Sequence, residues 1–495
     1  MSVPFTSIYL DHAATTPTDP EVIAAMTAVL GASPPLGNPS SQHAAGRRAA
    51  ATIDQARTEL ATLVGAAAEQ IVFTSGATEA DNLAVLGIAR GRASFGRHLV
   101  VSTIEHKAVL DPARRLERAG WQVSWLEPTR DGRITPAALA AAIRPDTQLV
   151  SIMHANNETG VVQDLPALVR IARERGVLFH TDGAQTVGKC PLDFSAWDLD
   201  LLSVSAHKFY GPAGIGALVV SSRARPWLEP LMSGGGQERG LRPGTLPTAP
   251  IAGLGVAARL ARARMADDAR ELEILAQRLK TALVSLPGLR FNDHPHARLP
   301  GLVSLSIEGV EGESLLAALP DLHLSSGAAC DSATGEPSSV LRAQGVPTEL
   351  AQATLRISFG RGNVAQDVDR AAESIRRVVL DLRAEDAPGP PPGEGWRVGE
   401  AGTLREGAKV RAYLQVDRAG RIATLVFRAA ACPDTRRAMS ALVARAPGVD
   451  LRTLAGLGTP LEWQREWGVP IEKLGRLLVV EDAVRRAGAA SPLES

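Results

Sequence analysis

The sequence predicts an α/β protein whose largest domain is a mostly parallel sheet covered by helices on both faces. Short apolar segments recur through the first half of the chain and alternate with amphipathic helical patterns such as 79–88 and 165–175. That alternation is typical of a parallel sheet buried on both faces. The predicted strands are 71–74, 99–102, 149–153, 177–181, 201–204 and 216–220. Ligands of such sheets bind beyond the carboxyl ends of the strands, so residues that follow strands are candidates for a site.

A smaller α+β domain and a C-terminal α+β domain are predicted after this sheet. A long helical pattern at 257–283 leads away from the sheet, and residues 384–395 (AEDAPGPPPGEG) predict a semi-rigid linker. Strand patterns restart at 409–416 and 422–428, followed by two helical patterns. The predicted units are residues 1–257 (large domain, whose N-terminal segment is a candidate to pack on the small domain), 258–383 (small domain), 384–395 (linker) and 396–490 (C-terminal domain).

The composition excludes several classes of protein. The 495 residues carry 53 basic and 53 acidic side chains, which argues against a broad basic surface for nucleic acid. Residues 1–10 lack a signal-peptide pattern, and no apolar run is long enough to cross a bilayer. The cysteines are Cys190, Cys330 and Cys432, which do not make a disulfide framework. We therefore expect a cytoplasmic protein with no membrane partner and no direct nucleic-acid partner.

Three chemically distinctive features follow three of the predicted strands. Lys208 is placed to act as a partly desolvated amine that forms a Schiff base. Asp182 is a carboxylate of the kind that keeps a pyridinium nitrogen protonated. The turn before the helix at 79–88 offers backbone N–H groups and the hydroxyl of Thr78 as a phosphate cradle. Taken singly, these features are equally an exposed lysine, a helix N-cap and a capping box. Together they predict a pyridoxal-phosphate pocket.

Ordered motifs between Tyr9 and Arg383 resemble those of the cysteine desulfurases, class V aminotransferase enzymes of the fold-type-I pyridoxal-phosphate group. Besides the blocks around Asp182 and Lys208, the matching motifs are YLDHAATTP at 9–17, GNPSS at 37–41, TIEHKAVL at 103–110, HANNETG at 154–160, RPGT at 242–245 and SSGAAC at 325–330. Many matches in one order are more specific than any single motif. The resemblance implies a fold-type-I architecture and the removal of sulfur from L-cysteine, which leaves L-alanine.

The resemblance also implies how the cofactor is held. Lys208 carries pyridoxal 5′-phosphate as a Schiff base and later moves protons, and His106 stacks on the ring and assists acid–base steps. Asp182 pairs with the ring nitrogen and Gln185 with the phenolic oxygen. The implied phosphate contacts are Ala77 (through its backbone), Thr78, Ser205, His207 and, in a homodimer, Thr245 of the partner subunit.

The substrate and the nucleophile are assigned in the same way. Asn157 and Arg356 are expected to hold the substrate carboxylate, a bidentate task that suits a guanidinium, although Arg356 alone is equally a surface salt bridge. Cys330 lies in a serine-, alanine- and glycine-rich stretch, 325–339, which predicts a mobile loop. Its thiolate would attack the substrate sulfur, and the loop would then deliver the resulting persulfide to an acceptor. A small buried residue would be unusual in such a loop. Cys190 stands where the family has an apolar residue, so we interpret it as structural.

Residues 396–488 resemble, more weakly, the U-type scaffold on which iron–sulfur clusters are built. The similar segments are GAKVRAYLQV at 407–416, FRAAACP at 427–433 and EDAV at 481–484. That scaffold binds its metal through three cysteines and an aspartate or histidine. The positions of the missing ligands are Glu406, Ala408, Gly475 and Arg476 here. Because one thiolate, Cys432, cannot complete a closed site, we expect no cluster and no tightly bound metal.

Cys432 retains a possible role of its own. It ends a predicted strand and precedes Pro433 and Asp434, a favourable first turn of a helix. A thiol at a helix N-terminus has more thiolate character at neutral pH. Two interpretations are equally open: Cys432 receives the sulfur from Cys330, within the chain or across the dimer, or it is an inert residue in a domain kept for packing or docking.

The resulting hypothesis is a pyridoxal-phosphate-dependent L-cysteine desulfurase. It is expected to act as a homodimer that passes sulfur from Cys330 to acceptor or scaffold proteins, for iron–sulfur cluster assembly or thiolation. A selenocysteine lyase or related class V lyase is the alternative enzyme, and a preference for selenocysteine would distinguish it. A partner-docking platform for sulfur transfer is the alternative of another class, but it would have no need of the lysine, aspartate and cysteine together.

Overall fold

The computed structural model describes residues 7–327, 337–386, 389–391 and 393–493, so Cys330 lies outside the described residues. The strands of the first half are β1 (Ile8–Tyr9), β2 (Ile71–Thr74), β3 (His98–Ser102), β4 (Gln122–Leu126), β5 (Thr147–Ser151), β6 (Leu178–Asp182), β7 (Leu201–Ser205) and β8 (Gly216–Val220). Its helices are α1 (Pro20–Leu30), α2 (Ala44–Val64), α3 (Ala77–Gly91), α4 (Lys107–Arg118), α5 (Pro136–Ala142), α6 (Leu165–Glu174) and α7 (Thr248–Leu283).

Strands β2 to β8 form one sheet in the order β2-β8-β7-β6-β5-β3-β4. Strands β3 to β7 run parallel, and β8 is antiparallel to both of its neighbours. The predicted α/β fold with a mostly parallel sheet is therefore confirmed. Strand β4 was not predicted. It lies at the edge of the sheet, and only Leu126 of its residues is buried, so it lacks the continuous apolar run that identified the other strands.

Alternate residues of the strands pack on opposite faces of the sheet. Val100, Phe179 and Leu202 join the core with α2, α6 and α7. Their sequence neighbours Leu99 and Leu178 join a second core with α3 and α4. Successive side chains of a strand point to opposite faces, so a strand covered on both sides carries apolar residues on both of its faces. This explains why the central strands were recognisable from sequence.

The small domain consists of β9 (Leu289–Phe291), β10 (Leu302–Ile307), α8 (Gly312–Ala317), β11 (Leu322–His323), β12 (Ser325–Ser326), α9 (Ser339–Ala343), α10 (Thr348–Gln352), β13 (Thr354–Ser358) and α11 (Ala365–Glu385). Its antiparallel sheet has the order β12-β13-β10-β9. Helix α7 contributes Leu254 to the large-domain core and Leu279 to the small-domain core, so the boundary predicted between residues 257 and 258 falls inside a continuous helix. The N-terminal segment packs on this domain through Ile8 and Leu10.

The C-terminal domain, residues 396–490, is called the tail domain below. Its elements are β14 (Arg397–Thr403), β15 (Ala408–Val416), β16 (Ile422–Ala431), α12 (Pro433–Arg445), α13 (Pro460–Glu466) and α14 (Leu474–Ala489). The three strands form an antiparallel sheet around a core that includes Trp463. The linker was predicted to begin at residue 384, but α11 continues to Glu385 because Ala384 and Glu385 are good helix formers and the first proline comes at 388. Within the described ranges, no helix is long and apolar enough to cross a membrane.

The tail domain packs on α8 of the small domain through a charged contact centred on Glu313. Glu313 accepts hydrogen bonds from Lys473 Nζ at 2.5 Å and from Arg476 at 2.9 Å. Lys473 Nζ also donates to Asp434 Oδ2 at 2.8 Å. Next to this cluster, Ser314 Oγ donates to the carbonyl of Ala431 at 2.7 Å. These bonds join helix α8 to both α12 and α14 of the tail domain.

Replacing Glu313 with glutamine should loosen this contact. Two partly buried cations would lose their carboxylate partner, a loss of about 1–3 kcal/mol for hydrogen bonds to charged groups. Hydrogen exchange of the amides in α8 and in the first turn of α14 should then become about tenfold faster. Glu472→Gln, which changes an exposed glutamate next to Lys473, is the matched control and should leave the exchange unchanged. Equal exchange in the wild type and Glu313→Gln would contradict the role assigned to Glu313.

Candidate active site

A cavity of about 1240 Å³, open mouth included, lies beyond the carboxyl ends of the parallel strands. The predicted residues that line it are Ala77, Thr78, His106, Asn157, Asp182, Gln185, Ser205, His207, Lys208 and Arg356. Thr245 is exposed and does not line the cavity of its own chain, so its place in the partner subunit's site stays a prediction. The structure thus brings together side chains that are separated by up to 279 residues, from Ala77 to Arg356.

The N-terminus of α3 forms the anion-binding end of this cavity. The first N–H groups of a helix have no partner within the helix, so those of Ala77 and Thr78 are available to a phosphate. Gly76 precedes them with a φ of +152°, a conformation that favours glycine. Strand β8 packs closely against this turn, since a Cβ on Gly216 would lie 2.7 Å from the Cα of Gly76. Both glycines are therefore required by the shape of the cradle.

Lys208 reaches from the end of β7 towards the N-terminal segment. Its Nζ donates to the carbonyl oxygens of Ala13 and Ala14, each at 2.7 Å. These contacts hold the amine inside the cavity, where an amine that has lost its proton is a nucleophile. Burial and the positive charge of Lys208 lower the pKa of the adjacent His207 to about 4, so His207 is neutral at physiological pH.

Asp182 closes β6 at the floor of the cavity and is only 6% exposed. Its Oδ1 accepts a hydrogen bond from the backbone N–H of Ala184 at 2.8 Å. Burial and the negative charge of Asp81 raise the pKa of Asp182 to about 6. A carboxylate with a raised pKa is a stronger proton acceptor, which suits a partner for a protonated ring nitrogen.

His106 is the N-cap residue of α4. Its Nδ1 accepts a hydrogen bond from the backbone N–H of Ala108 at 3.1 Å. Because Nδ1 is the acceptor, the neutral ring carries its proton on Nε2. The cap also fixes the ring of His106 at the wall of the cavity, where a stacking role was predicted.

Gln185 is oriented by the N-terminal segment and by a second lysine. Its Nε2 donates to the carbonyl of Ala13 at 2.9 Å, and its Oε1 accepts from Lys189 Nζ at 3.5 Å. An amide nitrogen has two N–H groups, so this arrangement leaves one for a ligand. Burial and the charge of Lys208 lower the pKa of Lys189 to about 7. Sequence reasoning gave Lys189 no role, and its one signal was the short spacing from Gln185.

Arg356 is buried where the two domains and the N-terminal segment meet. Its guanidinium donates to Asp11 Oδ1 at 2.8 Å, to Ser325 Oγ at 3.1 Å and to the carbonyl of Asn157 at 3.0 Å. The surface salt bridge considered for Arg356 is wrong, because the residue is 2% exposed and lines the cavity. Asp11, which fixes this guanidinium, was missed although it lies in the 9–17 motif, since a motif match does not say which side chain orients another.

Both ends of the segment that contains Cys330 are fixed near this arginine. On one side, Ser325 bonds to Arg356, and the N–H of Gly327 donates to the carbonyl of Thr354 at 3.0 Å. On the other side, Ser338 Oγ donates to Glu158, the residue that follows Asn157. Gly327, three residues before Cys330, and Ser338, eight residues after it, are therefore both held beside the cavity.

The remaining two cysteines are free thiols. Burial raises the pKa of Cys190 to about 11, so it stays a neutral thiol packed near Leu299 and Leu302. Cys432 is fully buried at the N-cap of α12, with its Sγ 3.2 Å from Thr435 Oγ1. Its ligand atom lies within 4.8 Å of those of Glu313 and Asp434. The ammonium group of Lys473 donates hydrogen bonds to both of these carboxylates. A metal ion would have to displace this ammonium group to use them as ligands.

Comparison with known proteins identifies the family. The chain matches the aminotransferase class-V model over residues 8–371. It is 49% identical over 378 residues to the cysteine desulfurase IscS of Pseudomonas syringae pv. tomato, which covers 76% of this chain and 94% of that protein. The cysteine desulfurase IscS of Azotobacter vinelandii is also 49% identical, over 377 residues, covering 76% of this chain and 93% of that protein. The chain therefore belongs to the aminotransferase class-V family, and within it to the cysteine desulfurases.

Solved structures show the same fold. A NifS-like protein has a TM-score of 0.71 and 32% identity, covering 76% of this chain and all 100% of that one. SspA in complex with cysteine has a TM-score of 0.65 and 37% identity, covering 72% of this chain and 100% of that one. DndA from Streptomyces lividans has a TM-score of 0.61 and 39% identity, covering 71% of this chain and 99% of that one. The fold-type-I architecture inferred from the motifs is confirmed.

Enzymes of this family use pyridoxal phosphate, and the residues of the cavity fit that group. The cradle at Gly76 offers N–H groups to a phosphate, and a Cβ at this position would meet Ser205 Oγ at 3.7 Å, so that hydroxyl borders the cradle. Asp182 offers a buried carboxylate for a pyridine nitrogen, and Lys208 offers an amine for an aldehyde. These three groups line one cavity, which is the donor set that the cofactor requires.

His154, the histidine of the 154–160 motif, should make the stability of the protein depend on pH. His154 is 3% exposed, and burial lowers its pKa to about 4. The unfolded chain binds this proton at higher pH than the folded chain. The contribution of His154 to stability is therefore complete above about pH 6.5 and is lost by about 3 kcal/mol as the pH falls to 4.

Urea unfolding of the cofactor-free wild type and His154→Gln at pH 7 and pH 4.5 measures this effect. When the pH is lowered from 7 to 4.5, the free energy of unfolding of the variant should rise by about 2–3 kcal/mol relative to that of the wild type. His296→Gln, at an exposed position, is the control and should show no such gain. A difference between wild type and His154→Gln that does not change with pH would refute the neutral state assigned to His154.

Proposed function

We propose that the chain removes sulfur from L-cysteine, transfers it to Cys330 as a persulfide and releases L-alanine. The observation that supports this most strongly is the meeting of Lys208, Asp182 and Arg356 in one cavity, beside both fixed ends of the segment that carries Cys330. Its relatives are named cysteine desulfurases, and the related SspA was solved with cysteine. The site therefore suits an amino acid whose carboxylate binds the cation of Arg356 and whose side-chain sulfur is attacked by the thiolate of Cys330.

Arg356 and Asn157 are the proposed carboxylate-binding residues. The guanidinium of Arg356 is already oriented by Asp11 and Ser325, so little side-chain freedom is lost when a carboxylate binds. Pyridoxal phosphate, when bound, supplies an electron sink conjugated to the substrate's α-carbon. Asp182 keeps the ring nitrogen protonated, Gln185 donates to the phenolic oxygen, and Lys208 takes and returns the α-proton at Nζ.

Cys330 completes the reaction as the sulfur acceptor. Its thiolate attacks the sulfur of the substrate, and an S–S bond forms between the two sulfur atoms. The bond between the substrate's β-carbon and its sulfur breaks, and its electron pair stays on carbon until protons complete alanine. The sulfur leaves the cysteine substrate in the same step, so no external oxidant is needed. Acceptor proteins then take the sulfur from Cys330.

We infer that the active assembly is a homodimer in the cytoplasm. Thr245 is exposed on its own chain, which is compatible with a contact in the partner subunit's phosphate site. The described thiols, Cys190 and Cys432, are free, as expected in a reducing compartment.

We infer further that the tail domain is a U-type scaffold fold that has lost its metal ligands. The proposed ligand positions lie near one another: Ala408 pairs with Ala431, which precedes Cys432, and a Cβ on Gly407 would lie 2.7 Å from Arg476. Lys473 and Arg476 place positive charge beside the sulfur of Cys432. The complete burial of Cys432 supports a packing role over sulfur relay.

Cys330→Ala should abolish alanine formation while leaving the cofactor bound. The wild type, given L-cysteine and a reductant, should release alanine over many turnovers, whereas the variant should fall by about 1000-fold or more, because the acceptor of sulfur is gone. Cys190→Ala is the matched control and should retain the wild-type rate. Alanine release by Cys330→Ala at the wild-type rate would exclude this thiol as the nucleophile.

Asp11→Asn should weaken substrate binding with little effect on turnover. Arg356 would lose the carboxylate that fixes its guanidinium, and KM for L-cysteine should rise about tenfold while kcat stays within about threefold. Asp267→Asn, at an exposed position, is the control. An unchanged KM in Asp11→Asn, or a loss confined to kcat, would show that Asp11 does not position Arg356 for the substrate.

A further inference from the structure

Three carboxyl groups are buried together behind the floor of the active-site cavity. Asp81 of α3 is 0% exposed, Glu105 after β3 is 4% exposed, and Asp182 at the end of β6 is 6% exposed. Asp81 and Asp182 both raise the pKa of Glu105, and Asp81 also raises the pKa of Asp182. Three such carboxyl groups do not all ionise together in a buried site.

Glu105 is the member of the cluster whose protonated form is most favoured by its surroundings. Its Oε1 accepts hydrogen bonds from Ser102 Oγ and, at 2.7 Å, from the N–H of Met153, whereas its Oε2 has no partner among the described residues. Burial, with the charges of Asp182 and Asp81, raises the pKa of Glu105 well above its ordinary value.

Asp81 is a member of the cluster that does not line the cavity. Both of its carboxylate oxygens are buried and have no hydrogen-bond partner in the described chain. The nearest group of opposite character is His180, whose Nε2 lies 3.4 Å from Asp81 Oδ1. His180 is fixed by Ser151 on β5 at 2.8 Å and by Ser203 on β7 at 3.0 Å, so it cannot turn towards Asp81 without breaking a bond. A buried carboxylate whose oxygens accept no hydrogen bond from the described chain is costly, and its position here calls for a function.

The charge of Asp81 acts on Asp182, which lies two residues after His180 on the same strand. Its negative charge makes Asp182 a stronger proton acceptor. The ionisable groups that face Asp182 or share its cavity are Asp81 and Glu79 on α3, Glu105 and His106 after β3, His180 on β6, His207 and Lys208 after β7, and Arg356 on β13. Of these, Asp81 is the one whose negative charge acts on Asp182 from behind the cavity rather than from its lining.

We propose that Asp81 is a positioning residue that acts through Asp182 to keep the ring nitrogen of pyridoxal phosphate protonated at the pH at which the enzyme works. The proposal rests on the proposed function only in requiring that pyridoxal phosphate be bound with its ring nitrogen at Asp182. Asp182 would hold the ring proton directly, and the negative charge of Asp81 would strengthen that hold through its effect on Asp182. Without Asp81, Asp182 alone would hold that proton less firmly.

The test is 15N NMR of protein loaded with pyridoxal phosphate that is 15N-labelled in its ring. The resonance of the ring nitrogen distinguishes the protonated from the neutral ring and is followed from pH 6 to pH 10. In Asp81→Asn the ring nitrogen should lose its proton at a pH about one unit lower than in the wild type, a tenfold change in proton affinity. This readout does not depend on turnover of L-cysteine, so failure of the proposed reaction would not be confused with failure of this proposal.

Glu105→Gln is the matched control, because it makes the same change from carboxyl to amide in the same buried cluster. Because burial favours the protonated form of Glu105, this variant disturbs the charge of the cluster least and should titrate with the wild type. A ring nitrogen that titrates alike in all three proteins would overturn the proposal. Equal shifts in both variants would overturn it too, because the effect would then come from disturbed packing rather than from the charge of Asp81.

A second measurement uses the cofactor-free proteins, so it still tests the role of Asp81 if Asp81→Asn binds pyridoxal phosphate poorly. The raised pKa of Asp182 means that the folded wild type binds its proton more tightly than the unfolded chain, so this contribution to stability is present below about pH 4 and is lost as the pH rises through 6. Asp81→Asn should reduce that loss. Its midpoint in urea should therefore rise relative to the wild type between pH 4 and pH 7. Glu105→Gln is not a control in this measurement, because the raised pKa of Glu105 makes the wild type lose stability over the same pH range and the variant lacks that loss. A constant difference between wild type and Asp81→Asn would contradict the proposal.

Discussion

The active site depends on the guanidinium of Arg356 more than on any other single group. It joins Asp11 of the N-terminal segment, Ser325 of the small domain and the backbone of Asn157 in the large domain. These three parts of the chain are fixed to one another at the point where the cavity opens. A buried guanidinium is costly without partners, and here both terminal nitrogens of Arg356 are bonded, so the cation fixes its neighbours as they fix it. The same contact positions the start of the segment that carries Cys330.

Burial divides the ionisable groups of the site into charged and neutral members. His207 and His154 have pKa values lowered to about 4, so they serve as neutral hydrogen-bonding groups. Burial acts in the opposite direction on carboxyl groups and raises the pKa of Glu105 and Asp182. Positive charge at the mouth and negative charge at the floor thus match a ligand with an anionic end and a protonated ring nitrogen.

The sequence was most informative where one strong constraint acts on each residue. Central strands need apolar residues on both faces, so β6 to β8 were predicted to within one residue and β5 to within two, whereas the half-exposed edge strand β4 gave no comparable pattern. Residues such as Lys208 that follow strands were found because their chemistry is rare in that position. Asp11, Asp81 and Lys189 were missed because each acts through a second side chain, and that pairing arises only from tertiary packing.

The tail domain is joined to the small domain by side chains that each bond to more than one partner, as Glu313 and Lys473 do. Its cations Lys473 and Arg476 bind Glu313 on α8, and α8 leads through β11 and β12 directly to the segment of Cys330. Cys432 is enclosed by this contact, so its thiol is reached only when the tail domain and α8 separate. The contact that encloses Cys432 is therefore also a contact that holds the element before the segment of Cys330.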